Sequence, residues 1–97
     1  MKAVFIAYNQ AHEDDVLSAM RQLDIKGYTG WPSVIGAGHK GGEPHLGSHA
    51  WPTLNGAMLT VVDDHKVDDL LNRLRAIDRE SPQLGLRAFA WTVDQVL

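Results

Sequence analysis

No cysteine occurs anywhere in the 97 residues, which excludes disulfides, thiolate metal sites and cysteine nucleophiles. Positive charge is scarce as well. Nine Lys and Arg stand against twelve Asp and Glu, and the net charge of -3 gives no basic footprint for nucleic acid. Long apolar runs are also missing. The N-terminal one, Ala3 to Tyr8, is too short and too poorly flanked for a signal peptide or a membrane span, so the sequence reads as a cytoplasmic protein with no direct membrane insertion. No repeat, low-complexity tail or linker divides the chain, and residues 1–97 are expected to form one domain.

What the chain does have is unevenly placed. Five of the nine glycines, three of the five histidines and two of the four prolines fall between Gly36 and Asn55. Neither a helical nor a strand period runs through that stretch. A loop longer than about 12–15 residues in a compact domain is usually functional or disordered, so residues 37–55 are where a function is expected.

The rest is regular. Residues 3–8 are continuously apolar and suit a central strand. Glu13, Asp14 and Asp15 open a helix over roughly residues 12–25, with Val16, Leu17, Met20 and Leu23 on its apolar stripe and Gly27 as its stop. Tyr28 to Ile35 has strand character, but Pro32 donates no ladder hydrogen bond, so this strand belongs at an edge or bulges there. Residues 56–62 form another apolar strand. Val67, Leu70, Leu71, Leu74 and Ile77 mark the clearest amphipathic helix, begun by Asp63-Asp64 and broken at Ser81-Pro82-Gln83. Residues 84–93 give the last strand. His12 and His65, each at a helix start, are expected to be neutral and solvated.

The order β-α-β-loop-β-α-β predicts an α+β, ferredoxin-like fold, with both helices on one face of a four-stranded antiparallel sheet. Both side-chain sets of the strands are apolar: Val4, Ile6 and Tyr8 alternate with Ala3, Phe5 and Ala7, and Phe89 and Trp91 alternate with Ala88 and Ala90. Helices cover one face only. An uncovered apolar face of this size points to burial against further copies of the chain, with Trp31 and Trp91 as core or subunit-interface residues.

These residues resemble the PII-like signalling proteins, trimers of ferredoxin-like subunits related to the copper-tolerance CutA trimers. Gly27-Tyr28-Thr29 is similar to the family's turn into strand two, and Val34-Ile35-Gly36-Ala37-Gly38 to its Val-x-Gly-x-Gly entrance to the effector (T) loop. Val61-Val62-Asp63-Asp64 is similar to its strand-three exit, and Phe89 with Val93 to its final strand. Gly42-Glu43-Pro44-His45 and His49 through Asn55 look closer to a branch often encoded beside heavy-metal efflux systems. The resemblance implies a regulator, not an enzyme: a homotrimer whose loop meets a target protein, a membrane transporter being one candidate, while a small ligand at the subunit junctions sets the loop's shape. It assigns Gly36, Gly38, Gly41 and Trp51 to that loop.

Classical members bind adenine nucleotides and 2-oxoglutarate. Their Gly- and Lys-rich phosphate loop corresponds here to Arg79 through Gly85, with one glycine and no lysine, and the loop has no magnesium-chelating glutamine. Arg87 falls near a phosphate-contacting lysine of the family, and is the candidate anion or nucleotide contact. Gly36-Ala37-Gly38-His39-Lys40-Gly41 satisfies G-x-G-x-x-G, but the Gly42, Pro44 and Gly47 that follow forbid the helix a dinucleotide site needs. His39, Glu43, His45 and His49 supply donors suited to zinc, copper or nickel; their bland alternative is exposed loop residues or subunit contacts. A transition-metal ion is therefore the preferred effector, an adenine nucleotide the alternative, and a small oligomeric enzyme with a single His the third reading.

Overall fold

The computed structural model describes residues 1–37 and 54–97. Four strands form one antiparallel sheet in the order β2-β3-β1-β4: β1 is Lys2–Asn9, β2 Thr29–Val34, β3 Asn55–Val62 and β4 Arg87–Thr92. Helices α1 (Glu13–Gln22) and α2 (Asp64–Glu80) provide the crossovers β1-α1-β2 and β3-α2-β4. Two short 3-10 turns, 10–12 and 82–84, precede α1 and β4. The α+β ferredoxin-like order expected from the sequence is present.

The period-two alternation of the strands divides the sheet. Val4, Ile6 and Tyr8 of β1 and Met58 and Val62 of β3 join Val16 and Met20 of α1 and Val67, Leu70 and Leu74 of α2 in one buried cluster. Thr60, buried on the same face, satisfies its hydroxyl by donating to the Gly27 carbonyl at 2.6 Å. Among the described residues, no helix covers the opposite face. Register places Phe5 between Leu59 and Phe89, and Ala3 between Val61 and Trp91. Trp31 lies across from Ala57 on the same side. Trp31, Val61, Phe89 and Trp91 are 43%, 42%, 54% and 49% exposed in the single chain, too much apolar surface in one place to be incidental. Neither Trp31 nor Trp91 is therefore a core residue of the subunit.

Element ends differ from expectation for local reasons. Helix α1 stops at Gln22 because Asp24 adopts the left-handed conformation, φ 56°. The Asp24 N–H donates to the Arg21 carbonyl and the Ile25 N–H to the Met20 carbonyl, at 3.0 and 2.9 Å. That pair of bonds is a Schellman cap, closed by apolar contact between buried Met20 and Ile25. Glycine is the residue that tolerates this φ without a Cβ penalty. Asp24→Gly is therefore expected to raise stability by about 0.5–1 kcal/mol, the left-handed penalty less the added freedom of the unfolded chain. A denaturant midpoint that falls would contradict this account. Strand β4 starts at Arg87, not residue 84, because the 82–84 turn ends in left-handed Gly85 (φ 74°) before buried Leu86.

His12 also departs from expectation. It is 6% exposed, not solvated, and its Nε2 has no hydrogen-bond partner among the described residues. The 3-10 turn at 10–12 carries it inward ahead of the helix. His65 lies exposed on α2 as expected.

Candidate effector-loop neck

The connection between β2 and β3 leaves the sheet from the strand edge that Pro32 was expected to disturb. Trp31 pairs with Ala57 and Val34 with Asn55, so Pro32 and Ser33 together oppose the single residue Gly56. Two residues against one is a β-bulge, which sharpens local twist and re-aims the strand. The edge position of β2 lets a proline sit there, since its missing N–H removes no ladder bond from a second neighbour.

The same level of the sheet is shaped by an aromatic ring. Tyr8 pairs with Gly56 in the β1/β3 register, and a Cβ on Gly56 would lie 2.7 Å from Cε2, Cζ and the hydroxyl of Tyr8. The ring thus occupies space that only glycine leaves open. Burial pushes the Tyr8 phenol above its ordinary pKa, and the nearby Glu13 carboxylate and Tyr28 add to the rise, so the ring stays neutral.

Beyond Tyr8, the chain turns at Asn9. Its side-chain Oδ1 accepts from the Ala11 N–H at 2.8 Å and caps the 3-10 turn. The Gln10 N–H donates to the Leu54 carbonyl at 3.1 Å, extending the β1/β3 pairing past Asn9 and Asn55. The Gln10 side-chain amide reaches across to β2, donating to the Pro32 carbonyl at 2.9 Å and the Ser33 hydroxyl at 3.1 Å. Gly36 lies beside Asn55, where an added Cβ would come within 2.5 Å of the Asn55 amide nitrogen. Outgoing and returning limbs are thus held at one neck by Gln10, Ser33, Gly36, Leu54 and Asn55.

Arg87 stands elsewhere, at the start of β4. Its guanidinium lies over the Phe89 ring, 5.8 Å from the centroid, a cation–π arrangement. It makes no ion pair among the described residues. On the helix side, β4 residues Leu86 to Ala88 and α2 residues Leu71, Leu74, Arg75 and Asp78 line a groove of about 250 Å³, whereas the Arg87 guanidinium itself lies over Phe89 on the opposite, helix-free face. The groove thus combines apolar side chains with both a cation, Arg75, and a carboxylate, Asp78.

Of the residues singled out from the sequence, Gly36 is at the neck and Arg87 on the helix-free face. Gly38, His39, Gly41, Glu43, His45, His49 and Trp51 lie outside the described residues. The described residues contain no group of three metal-ligating side chains, and no helix among them is long and apolar enough to cross a membrane. Gln10, Ser33, Tyr8 and Gly56 were not legible as site-forming. Pro32 was the one signal for the bulge, and nothing local shows which side chain would reach its carbonyl.

Over residues 1–97 the sequence matches the family model of nitrogen regulatory protein P-II. The chain belongs to the P-II family. Its members are regulatory proteins, and the fold found here is theirs. Among solved structures, CPII from Thiomonas intermedia K12, a nitrogen regulatory PII-like protein bound to ADP, AMP and bicarbonate, is similar at 18% identity with a TM-score of 0.75, covering 93% of this chain and 82% of that one. A second CPII structure, bound to ADP and bicarbonate, has 20% identity and a TM-score of 0.74 over the same shares of the two chains. A protein described as PII-like and signalling, from Thermus thermophilus, has 24% identity and a TM-score of 0.67, covering 95% of this chain and 85% of that one. At these identities the likeness shows a shared fold. A comparison with curated proteins finds no match.

Proposed function

We propose that this P-II family protein is a homotrimeric regulator whose subunit junctions bind an adenine nucleotide and whose loop, residues 37–55, contacts a target protein. The observation that carries the nucleotide is Arg87, a cation without an ion-pair partner among the described residues, on the uncovered sheet face where subunits would meet. The adenine nucleotides bound to CPII, which shares the fold, support the same reading. The uncovered apolar face, with Phe5, Leu59, Phe89 and Trp91, supports assembly into a trimer. A nucleotide, not a metal ion, is thus the better supported effector. The effector-loop residues assigned by the resemblance are Gly36, at the neck, and Gly38, Gly41 and Trp51 within the loop.

Thermal denaturation with AMP, ADP and ATP, each with and without bicarbonate, tests this. A ligand at about 100 times its Kd stabilises by roughly 2.7 kcal/mol, which a melting curve resolves readily. Arg87→Gln is expected to remove most of that shift and leave the unliganded melting temperature within about 2 °C, since an exposed cation contributes little to folding. No shift with any nucleotide at millimolar concentration would sink the nucleotide reading. The metal reading rests on His39, Glu43, His45 and His49 and on the sequence resemblance to the efflux-associated branch. Saturable zinc, copper or nickel binding that His45→Ala and His49→Ala abolish would restore it.

A further inference from the structure

The neck is held by one residue more than by any other. From the order β2-β3-β1, strands β1 and β2 are two ladder spacings apart, about 9–10 Å. Gln10 follows β1, yet it touches both limbs of the intervening connection: its backbone N–H meets the returning limb at Leu54, and its side chain meets the outgoing limb at Pro32 and Ser33. The side chain therefore spans the end of β3. What it binds there are the two residues of the bulge, through the Pro32 carbonyl and the Ser33 hydroxyl. The turn that presents Gln10 is fixed in its own right, because Asn9 caps it and is itself 5% exposed. The strap thus runs from a rigid corner of the core to the most irregular point of the edge strand.

We propose that Gln10 is a positioning residue, which sets the direction of the outgoing limb relative to the returning one and so the geometry the loop presents. This rests on the reading of residues 37–55 as the effector loop. Gln10 touches no ligand in this role. It acts by denying the Pro32–Ser33 bulge its alternative orientations, so its loss is felt locally: the buried cluster of β1, β3 and the two helices contains neither Gln10 nor Ser33.

Hydrogen exchange read by mass spectrometry, with ADP titration alongside, tests it on the full chain. Gln10→Met keeps length and removes both side-chain donors. Peptides covering 29–37 and 54–60 are expected to exchange about five- to tenfold faster, the range that loss of one or two exposed hydrogen bonds allows. Peptides within 64–80 should be unchanged, and the melting temperature should stay within about 3 °C. Ser33→Ala should speed the same peptides less, and add nothing in the Gln10→Met background, because the two share one contact. Unchanged exchange at the neck in Gln10→Met overturns the proposal. So does an ADP affinity unaltered by Gln10→Met in a protein that binds ADP, where a several-fold loss is expected. If the wild-type protein binds no nucleotide, the nucleotide reading fails, and the exchange rates alone decide the role of Gln10.

Discussion

Gly56→Ala is expected to lower the melting temperature by roughly 10–20 °C. The added Cβ would sit 2.7 Å from three atoms at the far end of the Tyr8 ring. A flexible side chain would swing aside, but Tyr8 is 1% exposed and packed in the core cluster. The strain must be taken up by the ring, the β1/β3 ladder or both, and overpacking of this kind costs about 1–3 kcal/mol or more. Gly27→Ala is the internal control: an added Cβ there meets nothing within 4 Å, so its effect should be small or stabilising. Scanning calorimetry of both variants decides the matter. Equal shifts would mean that the contact with Tyr8 is not what requires glycine. In Gly56→Ala/Tyr8→Leu, where the shorter side chain leaves that space, the two penalties should combine to less than their sum.

Phe89→Glu with Trp91→Glu is expected to convert the proposed trimer to single subunits. Both side chains point away from the helices, on the face where Phe5, Leu59 and Val61 lie alongside, and they are 54% and 49% exposed in the isolated subunit. Substitution there removes little from the subunit's own core. In the assembly, each copy would bury two carboxylates in an apolar contact, at a desolvation cost of several kcal/mol per charge. Light scattering on a sizing column reads the outcome as mass. A trimer mass for the wild type and a one-chain mass for the variant, with the far-UV spectrum intact, is the expected pair. A variant that keeps the wild-type mass would show that the interface lies elsewhere. Loss of the spectrum would mean that these residues serve the subunit's own fold, contrary to their exposure. Assembly also bears on Arg87, which pairs with Ala7 in register and so begins the same uncovered row of β4.

Much of this architecture was legible in the sequence. The 3.6-residue period of Val67, Leu70, Leu74 and Ile77 located α2 between Asp63 and Ser81, and the structure has it at Asp64–Glu80. Pro32 alone, through its missing N–H, predicted an edge strand or a bulge, and both are found. The doubly apolar strands implied an uncovered face by their composition alone. Helix α1 was less legible. Its apolar stripe continues through Leu23, but the chain leaves the helix at an aspartate, and the left-handed conformation of Asp24 is set by the Met20–Ile25 contact instead of by a glycine. The buried state of His12 was illegible because helix-dipole reasoning treats the helix start as surface, whereas a 3-10 turn rotates it inward.

Local chemistry and spacing thus determined, from sequence alone, the order of elements, the two faces of the sheet and the place of the long connection. They did so because periodicity, proline and charge at helix ends act over a few residues. The tertiary structure alone decided the neck. That Gly56 must be glycine depends on a ring from β1, and that Gln10 straps the connection depends on β3 lying between β1 and β2. Each relation joins residues more than twenty positions apart, and their distance becomes short only when the sheet has formed.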